Sequence, residues 1–292
     1  MERKDFLKKG LLGTGMLVTN AALGGVLRND IDELKELEVM GLNHLPNPET
    51  WQGPFAVLHR ANTRGLAAHG WLDSHQTFSF ANYYNPDRMH FGVLRVLNDD
   101  RIDASKGFGR HPHDNMEIIS IPLEGDLEHK DSLGNTAVIR AGDIQVMSAG
   151  TGVFHSEYNK NDDREARFLQ IWVFPRQRNV EPRYDQLTLD INARKNKLQQ
   201  ILSPNPGDEG VWIHQDAWFH MGRFDKDISV DYSLKKKDNG IYVFVINGSV
   251  QIDDVTLDKR DGLGIWNISG LSMQSLSNDT ELLIMEIPMT IS

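Results

Sequence analysis

The chain has 292 residues, 39% hydrophobic and 25% charged, enough for about two domains of ordinary globular size. It has no cysteine, which excludes disulfides, iron–sulfur clusters, zinc–thiolate sites and cysteine nucleophiles, so any metal must rest on His, Asp or Glu. A net charge of −10, from 31 basic and 41 acidic residues, argues against nucleic acid as a direct partner.

Residues 1–10 read MERKDFLKKG, and residues 11–27 carry no charge at all. A basic start, an apolar middle and the small residues Ala22 and Gly24 near a plausible cut have the form of an export signal over 1–25. Residues 3–8 resemble a twin-arginine signal with Lys4 where the second Arg is usual, so an exported, periplasmic location is expected over a cytoplasmic one. The apolar run is short and interrupted by Gly13, Thr14, Gly15, Thr19 and Asn20, so no membrane span is expected. Asn29 or Asp30 can cap a short helix over 29–40 that stops at Gly41, and Pro46, Pro48 and Pro54 follow. The reading of 26–55 is thus a helix and a Pro-containing linker.

Beyond residue 56 the pattern is strands and turns. Strands are expected over 91–97, ending at Asn98-Asp99-Asp100, over 116–123, ending at Glu124-Gly125, and over 136–140, 144–147, 153–158 and 168–174. Short strands about ten residues apart indicate an all-β sandwich or double-sheet barrel. Residues 241–252 and 261–270 repeat the order of strand, Gly turn, strand, Asp/Gly turn, strand. The economical reading is two tandem barrels, 56–175 and 207–292, joined by a linker over 176–206, behind a short helical leader.

The histidines separate the copies. His111 and His113 are two apart, as are His155 and Glu157, and residues i and i+2 of a strand share a face. Two such pairs on neighbouring strands would converge. Three neutral imidazoles and a carboxylate suit one divalent transition ion, Fe(II) first, with Ni, Cu, Mn or Zn as further candidates. Glu117 shares odd numbering with His111 and His113, so the residues alone leave open whether Glu117 or Glu157 is the carboxylate ligand. His59, His69, His75 and His90 are expected on loops or the surface, and His129 at a solvated strand position. Trp212, Trp218, Phe219 and Trp266 are expected in the core of the second barrel, which offers no HxH pair and is expected to hold no metal. Phe78, Phe80, Tyr83 and Tyr84 are candidates for the wall of a pocket above the metal.

Residues 109–117 (GRHPHDNME), 123–135 (LEGDLEHKDSLGN) and 147–159 (MSAGTGVFHSEYN) resemble the paired cupin motifs of the pirin family. Residues 69–84 (HGWLDSHQTFSFANYY) resemble the bacterial pirin-like quercetin 2,3-dioxygenases. This resemblance implies a bicupin of two jelly-roll (double-stranded β-helix) barrels with metal only in the N-terminal one. It implies His111, His113, His155 and Glu157 as ligands, with Glu117 left as a hydrogen-bonding partner behind them. It implies a dioxygenase that takes a small aromatic substrate and O2, cleaves a flavonol such as quercetin and releases carbon monoxide. Glu157 would then be the catalytic residue, accepting the proton of the 3-hydroxyl. The alternative it implies is a regulatory or stress-response protein with a protein partner, its metal structural or redox-sensing.

Overall fold

The computed structural model describes residues 53–291 together with the two-residue strand β1 (Leu17–Val18). The rest of the export-like segment and residues 26–52 of the helix and linker lie outside the described residues, so the helical leader finds no support. The chain continues with β2 (Phe55–His59), β3 (Gly65–Ala68), β4 (Leu72–Gln76), β5 (Leu94–Ile102), β6 (Gly107–His113), β7 (Glu117–Glu124) and β8 (Asp126–Asp131). Next come β9 (Thr136–Arg140), β10 (Asp143–Ser148), β11 (Val153–Asn159), β12 (Ala166–Val173), β13 (Arg183–Thr188), β14 (Leu198–Ser203) and β15 (Val211–Trp212). The last are β16 (Trp218–Phe224), β17 (Ser229–Ser233), β18 (Asn239–Asn247), β19 (Ser249–Ile252), β20 (Val255–Asp258), β21 (Gly262–Trp266), β22 (Gly270–Ser275) and β23 (Thr280–Pro288). Two 3-10 turns, Ala61–Thr63 and Ile191–Arg194, are the helical elements among the described residues.

These strands build two double-sheet barrels. The first pairs a seven-stranded sheet, β13-β10-β7-β12-β5-β4-β3, with a four-stranded one, β6-β11-β8-β9. The second pairs an eight-stranded sheet, β1-β2-β21-β18-β23-β16-β14-β15, with the four-stranded β17-β22-β19-β20. The repeat read from the sequence is physical at its turns: Gly125 and Gly248 both hold φ near +75° (73° and 77°), between β7 and β8 and between β18 and β19. A Cβ at either would lie under 3.0 Å from a neighbour, Glu165 O in one case and Ser277 Oγ in the other, so only Gly makes the turn cheaply.

The boundaries differ from the sequence reading. Residues 176–206 carry two strands rather than a free linker: β13 extends the first barrel beside β10, and β14 joins the second beside β16. In the opposite direction, β2 precedes the first barrel in sequence but pairs with β21 of the second. Short, polar strands such as RYDQLT give a weak apolar signal, which is why composition alone reads them as linker. Strand β2 ties the barrels together, and the outer faces of their large sheets form one core. Ile119, Ile121, Leu169 and Ile171 meet Phe219, Phe244 and Met285 there.

The two interiors are unlike. Inside the second barrel, apolar side chains including Val243, Val250, Leu257 and Ile284 fill the space. The first keeps smaller apolar groups, one around Ile102, Ile139 and Phe168 and one around Ile118, Met147 and Val153. What fills the rest is polar. The strand expected to end at Asn98-Asp99-Asp100 runs straight through those residues to Ile102, with Asn98 and Asp100 buried.

Phe91 fastens the start of β5 to the second barrel. It is buried, its ring centroid 5.4 Å from Tyr242 and 5.8 Å from Trp266, over the Cα of Gly264. Phe91→Ala is therefore expected to cost about 3–5 kcal/mol of stability. Denaturant unfolding measures this directly, and a loss under about 1 kcal/mol would contradict the shared core.

Candidate metal centre

Strand alternation builds the site. On β11, Val153, His155, Glu157 and Asn159 are buried, while Phe154 and Tyr158 face solvent. Antiparallel pairing sets His155 opposite His111 on β6 and opposite Asp131 on β8, and Glu157 opposite His129 on β8. The rings of His111, His113 and His155 stand 4.4–4.9 Å apart between centroids. Their ligating nitrogens lie within 4.8 Å of one another, and so do the ligating atoms of His129, His155 and Glu157. The structure thus brings three of the four expected ligands into one cluster, and sets Glu157 in a second that shares His155.

Do these residues fit a metal? Burial and mutual repulsion hold His113 neutral, its pKa lowered to about 4, and His155 likewise, lowered to about 2. Neutral rings have lone pairs to give. His111 Nδ1 lies 2.7 Å from the Gly109 carbonyl, so the Nδ1–H donates there and Nε2 is left as the free acceptor. His155 Nε2 is buried without a hydrogen-bond partner. Behind it, His129 Nε2 donates to Asp131 Oδ2 at 3.1 Å, and His129 Nδ1 lies 3.5 Å from His155 Nδ1. Asp131 is fixed in turn by the backbone N–H groups of Leu133 and Asn135. Because Asp131 can only accept, the chain of donors ends with a lone pair on His155 Nε2. Such orphaned lone pairs in a buried cluster are what a divalent transition ion satisfies.

Glu157 accepts from Gln170 Nε2 at 2.8 Å and Ser120 Oγ at 3.1 Å, and burial raises its pKa. The cluster opens on a cavity of about 320 Å³. Trp71, Phe80, Phe108, Ile118 and Trp172 wall it, and Trp172 stands edge-on to both His113 and Phe80, with centroids at 4.8 and 5.2 Å.

Several sequence expectations need correction. Glu117 does not back the histidines. The left-handed Asn115 (φ 45°) resets the alternation between β6 and β7, so Glu117 points with Ile119 and Ile121 toward the second barrel. There it accepts from Ser148 Oγ at 2.6 Å, with Arg183 nearby. His129 is the orienting group instead, fully buried rather than solvated. The signal for it was present in the sequence, since β8 alternates buried and partly buried residues in step with β11. His59 is also buried, hydrogen-bonded to Tyr242 at 2.8 Å in the core between the barrels. Of the four pocket candidates only Phe80 lines the cavity. Phe78 joins the core between the barrels, Tyr83 covers Gly65, and Tyr84 is 73% exposed. The chain leaves the sheet after Gln76, so strand alternation no longer assigns these rings a side. Trp71, Phe108 and Trp172 were missed.

Two tandem double-sheet barrels, one with imidazoles converging inside it, define a bicupin. A family profile described as pirin matches residues 58–173, and one described as the quercetinase C-terminal cupin domain matches residues 200–287. The quercetin 2,3-dioxygenase of Escherichia coli K12 is 42% identical over 231 residues, covering 79% of this chain and 98% of its own length. A pirin-like protein of Caulobacter vibrioides is 37% identical over 223 residues, 76% of this chain and 95% of its own. Among solved structures, the bacterial pirin YhhW of Escherichia coli in complex with nickel(II) superposes with a TM-score of 0.75 at 41% identity. That match covers 80% of this chain and 99% of the other. The chain belongs to the pirin family.

Glu117 yields a stability test. Burial raises its pKa to about 7, so the folded protein keeps a proton that the unfolded chain releases above its ordinary value near 4.5. Between those values stability falls as pH rises, by up to about 1.4 kcal/mol per pH unit from this group. Above about 7 both states are ionised and the slope vanishes. Denaturant midpoints from pH 5 to 8 should show Glu117→Gln gaining on the parent protein across this window, and a constant difference would contradict the assignment.

Proposed function

We propose that this chain is a metal-dependent dioxygenase that opens a flavonol such as quercetin with O2. The observation that carries this reading is the cluster of His111, His113 and His155, with Glu157 beside it, on a cavity walled by aromatic rings. His111, His113, His155 and Glu157 would hold the ion; Fe(II) is our first candidate, and nickel is supported by the complex formed by the 41%-identical bacterial pirin. A bound transition metal supplies Lewis acidity and a redox partner for dioxygen.

The protein's own groups do the rest. His129 and Asp131 hold the His155 ring in one orientation. Trp172 and Phe80 offer flat faces and edges to a planar ligand and exclude water. Glu157 accepts the proton of the flavonol 3-hydroxyl on a carboxylate oxygen; its burial, which raises its proton affinity, suits that role. In the overall reaction both oxygen atoms enter the product ester and carbon 3 leaves as carbon monoxide.

Metal-loaded protein in air is expected to bleach flavonol absorbance with release of carbon monoxide, and chelated or anaerobic protein to do neither. Metal-loaded protein inert toward flavonols would instead favour a regulatory role. Glu157→Gln is expected to lower turnover at least about a hundredfold with metal content retained. Undiminished turnover in that variant would remove Glu157 from the reaction.

We also propose export, on the pattern of residues 3–27. N-terminal sequencing of protein from the periplasmic fraction should begin after residue 24, a cut that removes β1 and leaves β2 at the sheet edge. Full-length protein confined to the cytoplasm would overturn this.

A further inference from the structure

The inner face of the large sheet in the first barrel carries a row of polar side chains. Register places Gln145, Ser120, Gln170, Asn98 and Gln76 opposite one another across β10, β7, β12, β5 and β4. Ser74 and Asp100 form the next row, the Ser74 hydroxyl donating to the Asp100 carboxylate. All seven are at least nine-tenths buried. In the middle of the row, Ser120 and Gln170 hold Glu157, and beyond them the amide of Gln145 has no partner. On β4 and β5, Gln76 Oε1, Asn98 Oδ1 and Asp100 Oδ1 have no hydrogen-bond donor. Gln76, Asn98 and Asp100 line the cavity that also holds His111, His113, His155 and Glu157.

Three buried acceptors without donors cost free energy that a folded protein ordinarily avoids. They lie on adjacent strands, with Gln76 roughly 10 Å from Gln170 at the usual strand spacing. We infer that Gln76, Asn98 and Asp100 form an acceptor floor that reads hydroxyl donors on the ring of the substrate farthest from the metal. This rests on the proposed role of the cavity as the flavonol site. The chemistry is selective in a definite direction. Acceptors take O–H donors, so phenols and catechols are favoured, whereas a carboxylate or phosphate brings further acceptor oxygens and no proton to share. The site therefore selects neutral planar polyphenols over anionic aromatics and over rings without outer hydroxyls.

The test is anaerobic equilibrium binding to metal-loaded protein, using quercetin, hydroxylated on both outer ring systems, and 3-hydroxyflavone, which keeps only the 3-hydroxyl. The parent protein is expected to bind quercetin about tenfold or more tightly than 3-hydroxyflavone. Asp100→Leu should weaken quercetin about tenfold and leave 3-hydroxyflavone unchanged or tighter. Because the buried Ser74 hydroxyl loses its acceptor in that variant, some loss of stability is expected whatever the ligand role, and the ratio of the two affinities is the readout. Asn98→Leu provides the same comparison if Asp100→Leu does not fold. Unchanged preference in variants that still bind both flavonols would overturn the acceptor floor and leave the dioxygenase reading standing. A parent protein that binds neither flavonol would overturn both.

Discussion

Three imidazoles crowded into one pocket, two of them held neutral by burial, present lone pairs that a dry interior cannot satisfy. That constraint organises the first barrel. His111 is oriented by the Gly109 carbonyl, and His155 by His129 and Asp131, which is itself fastened by backbone donors. Each of these contacts turns a ring nitrogen toward the same point. A cluster so arranged is stable as built only because the surrounding strands leave the rings few other positions, and a divalent ion meets its remaining demand.

The cost is a first barrel with a reduced apolar interior, and the fold compensates between the barrels. The outer faces of the two large sheets share one core, with Phe91 and Tyr242 among its buried aromatics. Strand β2, which passes from the start of the described chain to the second barrel, reinforces it. The second barrel, filled with apolar side chains, acts as the stable partner that lets the first carry buried polar groups. Buried Glu117 at their shared face shows that this junction too includes a titratable group.

Much of this was legible in the residues. Period-two spacing placed His111 with His113 and His155 with Glu157, and turn glycines marked the two copies, because both signals arise from local backbone geometry. What failed depended on longer-range geometry. Glu117 shares the numbering parity of β6, but a left-handed Asn115 intervenes, and His129 on a polar strand reads as solvated, but it pairs with Glu157 in the site. Asn98-Asp99-Asp100 reads as a strand end because three polar residues in succession ordinarily stop one, yet β5 runs through them. There the sequence departs from the local rule, and such departures concentrate where a protein serves a ligand rather than its own stability.

The cavity lining combines metal-ligating lone pairs, buried acceptor oxygens without donors and aromatic walls. The claim on which the rest depends is that His111, His113 and His155 together bind one ion. X-ray absorption spectroscopy of protein loaded with one equivalent of Ni(II) tests it most directly. The account requires scattering from three imidazoles, falling to two or to no bound metal in His155→Ala. A metal without imidazole scattering, or an unchanged imidazole count in that variant, would contradict it.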